Sequence, residues 1–382
     1  MDFELTPEQL RLKQEVREFA RAVIQPSADE RSANQRWDDA LWREIGAQKY
    51  PGVVIPTEFG GMGGSAMEHA ILVEEVSRVD GSLGAGLNLL QQTVMAVQSF
   101  ATPEQKAHYL PLLADGRSFS ITGITEASSG SKMEDMKTFA VKDQETGDWI
   151  INGDKTEVHI PEHVQICLVF AKTPGGISAF LVDTSNPGFS VIEKRGIIGL
   201  RGLPMSSVRF ADCRVSADAL LAGEGGAYHV FFKSFDLTRI GNAAKCIGIA
   251  EGAIEAAIAY GRERHVGENV VTDFQGLRWQ LAEFDARLQG ARALTRVAAR
   301  EYQATGRSTG SSARAKLLAC VAAMDITTSC LQITGSHGCF TASPFHRFMM
   351  DAKVSQVTGG TMEVLRNTIA RELLGKPSAP TQ

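Results

Sequence analysis

Two side chains able to carry protons stand two residues apart in this chain, Glu157 and His159, in the run Lys155-Thr156-Glu157-Val158-His159. An unperturbed imidazole titrates near ~6.5 and suits proton transfer at neutral pH. A neighbouring carboxylate could share that traffic. The plainer reading turns both side chains to solvent on a remodelled surface. Other chemistries are easier to set aside. Gly60-Gly61-Met62-Gly63-Gly64 could pass for a phosphate loop, but it has no preceding strand, no downstream acidic residue and no Lys-Ser/Thr. There is no Gly-x-Ser-x-Gly elbow to anchor a hydrolase triad. The six cysteines (167, 213, 246, 320, 330 and 339) are scattered without a Cys-x-x-Cys. That pattern suits reduced thiols in a cytoplasm better than a disulfide framework or zinc, so no metal is expected.

The elements that must position these groups fall into three textures. At 382 residues, the chain is long enough for two or three domains. A net charge of −5 without a basic stripe gives no nucleic-acid signal. No apolar run approaches the ~18 residues of a membrane span, and Met1-Asp2-Phe3-Glu4 does not begin a secretory leader. A cytoplasmic location is the expectation.

Residues 1–117 read as helical. Thr6-Pro7-Glu8-Gln9 has the pattern of a capping box, an apolar face follows from Leu10 to Ile24, and Pro26 is expected to end that helix. Helical patterns resume from about Ala66 to Leu113. Residues 118–227 read as an inserted β domain, with short β-type runs at 138–141, 149–152, 166–171, 178–182, 189–193 and 207–210. Gly147-Asp148 and Asn152-Gly153-Asp154 are turn signals between them. In residues 228–382 apolar residues again step by three and four, through Ile240–Ala257 and Leu277–Ala298. Two long antiparallel helices, a third over 311–333 and a last one after Thr361 are expected.

Several stretches in this order resemble the motifs of one family. Thr125-Glu126-Ala127-Ser128-Ser129-Gly130-Ser131 is similar to a Thr-Glu-Pro-x-x-Gly-Ser-Asp loop, with Ala127 and Lys132 departing from it. Ile151-Asn152-Gly153-Asp154-Lys155 resembles a Leu-Asn-Gly-x-Lys turn, and Asp236-Leu237-Thr238-Arg239 an Asp-x-Thr-Arg segment. Gln332-Ile333-Thr334-Gly335-Ser336-His337-Gly338 is similar to a Gln-x-Leu-Gly-Gly-x-Gly loop, and Asp351 to Arg366 resembles a C-terminal signature. From Phe3 to Leu374 the chain resembles the acyl-CoA dehydrogenase family. The resemblance implies a mainly α fold with an inserted β domain: an N-terminal helical domain, a middle β-barrel or sandwich, and a C-terminal four-helix bundle.

It also implies FAD as cofactor and an acyl thioester, on CoA or a carrier protein, as substrate. Thr125, Gly130, Ser131, His159, Thr361 and Glu363 are then expected at the flavin. A Thr hydroxyl and free backbone N–H groups can satisfy ring oxygens and phosphate. Arg264, Gln275, Gln332 and Gly335 would reach the flavin of a neighbouring subunit, in a homodimer or homotetramer. Asp236, Arg239, Thr358 and Gly359 would line the substrate site, with Asp236 facing the CoA moiety. In relatives the position of Gly359 usually carries the glutamate that removes the α-proton, and some carry it at the position of Thr238 instead. Here neither residue is a base. The Trp and Thr that shield the flavin in relatives are replaced by Glu157 and His159. Those changes favour an O₂-using mono- or dioxygenase of secondary metabolism, similar to the flavin oxygenase of tropodithietic acid biosynthesis, with an external flavin reductant and His159, with or without Glu157, supplying protons. A dehydrogenase or enoyl reductase with a relocated acid/base, and a desulfinase-like eliminase or non-redox binding protein, are the alternatives.

Overall fold

The computed structural model describes residues 4–375. Met1 to Phe3, where a leader was sought, lie outside them. The chain runs helices, sheet, helices. The first part holds α1 (Pro7–Phe19), α2 (Ala28–Ala33), α3 (Asp39–Ala47), α4 (Ala66–Ser77), α5 (Gly81–Phe100) and α6 (Pro103–Ala114). At the start of α1, Thr6 Oγ1 accepts from Gln9 N at 3.2 Å while Gln9 Oε1 accepts from Thr6 N at 3.1 Å, closing the capping box. Pro26 does not end this helix as expected. The α-helix already gives way at Phe19 to a π turn, Ala20–Ile24, and Pro26 sits in the 3₁₀ turn Gln25–Ser27 that leads into α2. A proline is tolerated there because an early turn position has no intrahelical partner for the missing N–H.

The middle part is one eight-stranded sheet. Its strands are β1 (Ser120–Gly123), β2 (Phe139–Lys142), β3 (Trp149–His159), β4 (Ile166–Thr173), β5 (Gly176–Asp183), β6 (Phe189–Arg195), β7 (Met205–Val215) and β8 (Leu220–Leu221). The order is β6-β7-β3-β2-β4-β5-β8, with β1 laid parallel on β4. Each β-type run read from the sequence overlaps one of these strands, Thr138 falling just before β2, while Asn152-Gly153-Asp154 is not a turn but a register slip inside β3. Phe170, Phe180 and Phe210 are buried, Phe170 and Phe180 on opposite faces of the β4–β5 pair.

The last part is a helical bundle: α7 (Ala227–Glu263), a two-stranded ribbon of β9 (His265–Val266) and β10 (Asn269–Val270), α8 (Gln275–Thr305), α9 (Thr309–Ile333), α10 (Pro344–Ser355) and α11 (Met362–Leu374). Helices α4 and α7 pack backbone to backbone, since a Cβ on Gly248 or Gly252 would fall on the carbonyl oxygens of Glu74 and Arg78. Arg292 of α8 clamps them, donating to Glu74 at 2.9 Å and to Glu251 at 2.7 Å. The expectation of no membrane span meets one helix, α9, that is long and apolar enough to cross one. In the fold α9 packs against α7, α8, α10 and α11, and its Ala315, Ala319, Ala323 and Ile326 are buried there.

Candidate active site

The loop after β1 is held to β3 by a buried ion pair. Lys155 Nζ donates to Glu126 Oε1 at 2.8 Å and to the Ile124 carbonyl at 3.3 Å. Glu126 also accepts from the backbone N–H groups of Lys137 and Thr138. These donors hold its carboxyl below the usual range against the opposing effect of burial. The Thr125 carbonyl accepts from Thr156 N at 2.9 Å, so Thr125 lies beside the strand that carries His159. Beyond the anchor, Gly130 and Ser131 are exposed and their backbone N–H groups have no protein acceptor. A Cβ on Gly130 would meet nothing within 4 Å. A rigidly anchored loop that ends in free amides and open space is a donor set that fits a phosphate-bearing cofactor.

The two proton-carrying candidates separate here. Pairing of β3 with β7 slips between Lys155 and Val158, and Glu157 occupies the bulge with φ +59° and an exposed side chain. The bulge breaks the alternation of the strand and turns Glu157 outward. His159, opposite Met205, is half-buried. Its Nδ1 is 3.1 Å from the Leu203 carbonyl oxygen. An acceptor at that distance requires the proton on Nδ1, which leaves Nε2 as a bare acceptor. Burial, with the Lys245 ammonium adding to it, pushes the imidazole down to about 4. The ring is therefore neutral at pH 7. In this environment the imidazolium is penalised, so His159 offers Nε2 as a hydrogen-bond acceptor and holds no ionisable proton at pH 7.

The 358–360 loop is built around a buried amine. Lys316 Nζ of α9 donates to the carbonyls of Thr358 at 2.5 Å, Gly359 at 3.0 Å and Gly360 at 2.6 Å. Burial pushes this ammonium down to about 8. Gly359 sits at φ +66°, and a Cβ there would fall on the Asn242 amide nitrogen and within 3.6 Å of Lys316 Nζ. The left-handed backbone disfavours a side chain at 359, and any Cβ there would have to displace the Asn242 amide. The second candidate position is no better, since the Thr238 hydroxyl donates to the Phe235 carbonyl at 3.0 Å. Asp236 does not face outward to a substrate. It is buried against the start of α9, where it accepts from Ser308 N at 2.9 Å, Thr309 Oγ1 at 2.9 Å and Ser312 Oγ at 3.4 Å. Ser308 N is a helix-start N–H without an intrahelical partner, and the other two donors are hydroxyls of the same turn, so the carboxylate caps α9.

The remaining flavin candidates form separate groups. Thr361 caps α11, accepting from Val364 N. Glu363 is exposed and pairs with Arg366 at 3.2 Å; its own backbone N–H and Thr361 hold its carboxyl below the usual range. Arg264, Gln275, Gln332 and Gly335 are all exposed where α7 ends, α8 begins and α9 ends, and the stacked rings of Tyr260 and His337, 5.0 Å apart, join that end. From Arg239 to Arg264 along α7 is about 37 Å at 1.5 Å per residue. One chain therefore does not bring these four to Gly359.

Sequence reasoning missed Lys316, Asn242 and Lys245. Lys245 is buried on α7 and has no hydrogen-bond or ion-pair partner among the described residues. The available signal was a lysine inside the apolar run Ala243-Ala244-Lys245-Cys246-Ile247. It also missed Asp351 of α10, whose Oδ1 accepts from Leu200 N at 2.5 Å while Oδ2 is buried without a partner. Burial pushes that carboxyl up to about 7.

Three family models cover this architecture: "Acyl-CoA dehydrogenase, N-terminal domain" over residues 6–117, "middle domain" over 122–213, and "C-terminal domain" over 225–374. The chain belongs to the acyl-CoA dehydrogenase family, and as a member it is an FAD-dependent oxidoreductase. It is 35% identical to a short-chain-specific acyl-CoA dehydrogenase of Clostridium acetobutylicum, covering 98% of this chain and all of that protein. It is 33% identical to an acryloyl-CoA reductase (NADH) of Anaerotignum propionicum, covering 98% and 96%. The butyryl-CoA dehydrogenase structure from Megasphaera elsdenii superposes with a TM-score of 0.94 at 29% identity, covering 98% of this chain and 100% of that one.

Proposed function

We propose that this protein uses FAD to act on an acyl thioester without an enzyme-borne carboxylate base, as an O₂-using oxygenase. The observation that carries the reading is the loop at Gly359. Glycine supplies no carboxylate at that position, and the left-handed backbone and the Asn242 amide disfavour a side chain there. The Thr238 hydroxyl is engaged, and Glu363 and Glu157 point to solvent. Without a base within hydrogen-bond reach, ordinary α-proton removal would lose about 100- to 10,000-fold in rate.

Thr125, the free amides of Gly130 and Ser131, His159 and Thr361 are the residues we assign to FAD. Arg264, Gln275, Gln332 and Gly335 are assigned to the FAD of a second copy, in a dimer or tetramer. When bound, FAD supplies the two-electron chemistry, recharged by an external reductant. Arg239 and Thr358 bind the acyl portion, and Lys316 holds the 358–360 loop in shape. The bulge at Glu157 leaves the strand edge beside His159 without an aromatic cover, which gives small molecules such as O₂ an approach. His159 Nε2 accepts a hydrogen bond there.

The balance for insertion of one oxygen atom is substrate, O₂, two electrons and two protons giving hydroxylated substrate and water. Reduced holoenzyme is therefore supplied with ¹⁸O₂ and a panel of acyl-CoA esters, and label in the organic product is the expected result. If label stays out while saturated acyl-CoA bleaches the flavin anaerobically, the second reading replaces the first. That reading is a dehydrogenase or enoyl reductase with a relocated base, and it is favoured by the free acceptor on His159 Nε2.

A further inference from the structure

The groups that surround Gly359 are hydrogen-bond donors. Phe235, Thr238, Arg239 and Asn242 recur at spacings of three and four along α7, so they share one face. That face meets the 358–360 loop: a Cβ on Gly360 would lie 3.6 Å from Phe235 Cζ, and one on Gly359 would fall on Asn242. The Arg239 guanidinium stacks over the Phe235 ring at 4.2 Å and is only 3% exposed. Its Nε and Nη1 have no acceptor among the described residues. The nearest carboxylate, Asp236 Oδ1, is 4.0 Å away, and the donors of the α9 terminus already occupy that group. The Thr358 hydroxyl is buried and equally unpartnered.

Buried polar groups are ordinarily paired, and a buried cation without an acceptor is costly. Beside Arg239 and Thr358 the unpartnered atoms can donate, whereas the unpartnered acceptor Asp351 Oδ2 belongs to α10 and acts on Lys245. Arg239, Lys316 and Lys245 are all buried cations of this region, and burial pushes all three away from their charged forms. A site meant to remove a proton needs an acceptor; this one offers unspent donors and positive charge.

We propose that the acyl group taken by this site carries its own oxyanion next to the thioester, bound by Arg239 Nε and Nη1 and by the Thr358 hydroxyl. The substrate then arrives with the negative charge that a base would otherwise have to create. A β-oxo thioester bound as its enolate meets this description, losing one proton to solvent as it binds and forming no bond to the protein. A carboxylate on the acyl chain presents the same oxyanion without proton release. The inference rests on the reading of this site as an acyl-thioester site, but not on oxygen chemistry.

The test is anaerobic titration calorimetry of the FAD-loaded enzyme at pH 7, in two buffers of different ionisation enthalpy. The probes are acetoacetyl-CoA, succinyl-CoA and butyryl-CoA. An oxyanion ligand should bind about 10- to 100-fold more tightly than butyryl-CoA, the range expected for charge-assisted hydrogen bonds. Proton release with acetoacetyl-CoA identifies the enolate; preference for succinyl-CoA without release identifies the carboxylate. The gap over butyryl-CoA should narrow in Arg239→Lys, which keeps the charge and loses the planar fork, and in Thr358→Val, which keeps the shape and loses the hydroxyl. Full FAD content in Thr358→Val checks that the loop is intact. Equal affinity for all three probes, or a gap unchanged in both variants, overturns the proposal. Failure of every acyl-CoA to bind overturns the acyl-thioester reading with it. Proton release without ¹⁸O incorporation overturns only the oxygenase.

Discussion

Gly359→Ala isolates the reason that this position carries no side chain. Two costs are separable. An L-residue at φ +66° pays roughly 1–2 kcal/mol for the left-handed backbone. The added methyl must also displace the Asn242 amide, and overpacking of that kind costs about 1–3 kcal/mol. The single variant should therefore lose about 2–5 kcal/mol in urea unfolding of the holoenzyme followed by circular dichroism. Asn242→Ala in the same chain clears the contact and leaves the backbone. Relative to the Asn242→Ala background, Gly359→Ala should then cost only the first 1–2 kcal/mol. The four-protein cycle should show coupling of about 1–3 kcal/mol, within the range for residues in direct contact. A neutral Gly359→Ala would refute the left-handed loop, and zero coupling would refute the role of Asn242. The functional corollary is sharper. Gly359→Glu paired with Asn242→Ala places a carboxylate beside Lys316 and Arg239. It should bring anaerobic flavin bleaching by butyryl-CoA that neither single variant supports.

Three further outcomes follow from neighbouring groups. Asp351 is raised to about 7 in the folded state against 3.8 as a free side chain, so the native state binds the extra proton between those values. Its stabilising contribution is complete below pH ~4 and is lost as pH rises through 7, at up to about 1.4 kcal/mol per pH unit; Asp351→Asn should flatten that slope in unfolding titrations. Glu126→Gln leaves the buried Lys155 ammonium without its counter-charge, so a loss of about 3–5 kcal/mol and release of FAD on gel filtration are expected. His159→Asn can keep a donor to the Leu203 carbonyl while removing Nε2. It should retain the wild-type melting temperature and lose turnover about 100-fold if Nε2 handles a proton. Wild-type turnover should show no His159 titration above pH ~5, and a histidine limb near ~6.5 would refute its depressed pKa.

Local signals in the chain carried the architecture. The capping box at Thr6 and Gln9, the short β-type runs and the three-four steps of the last third each depend on residues within a turn or two of one another. Hydrophobic periodicity therefore located the strands and long helices in place. Pro26 was misjudged because its tolerance depends on which backbone groups are already unpaired, and that depends on the π turn before it. The absence of a base at Gly359 and Thr238 was also legible, since it is a matter of residue identity set against a resembled motif.

What those residues face was not legible, because burial and pairing come from segments far apart in sequence. The sequence alone determined that Glu157 and His159 are two residues apart; only the slip of β3 against β7 decided that one is exposed and the other half-buried against the Leu203 carbonyl. Asp236 read as a substrate group until the start of α9, more than seventy residues away, supplied its donors. Lys316 carried no signal in the sequence, and Arg239 was expected at the substrate site on resemblance alone, until the fold closed the 358–360 loop over one and left two nitrogens of the other without an acceptor. Charge in a protein interior is governed by lost solvation and by the partners that replace it, and both are properties of the assembled structure.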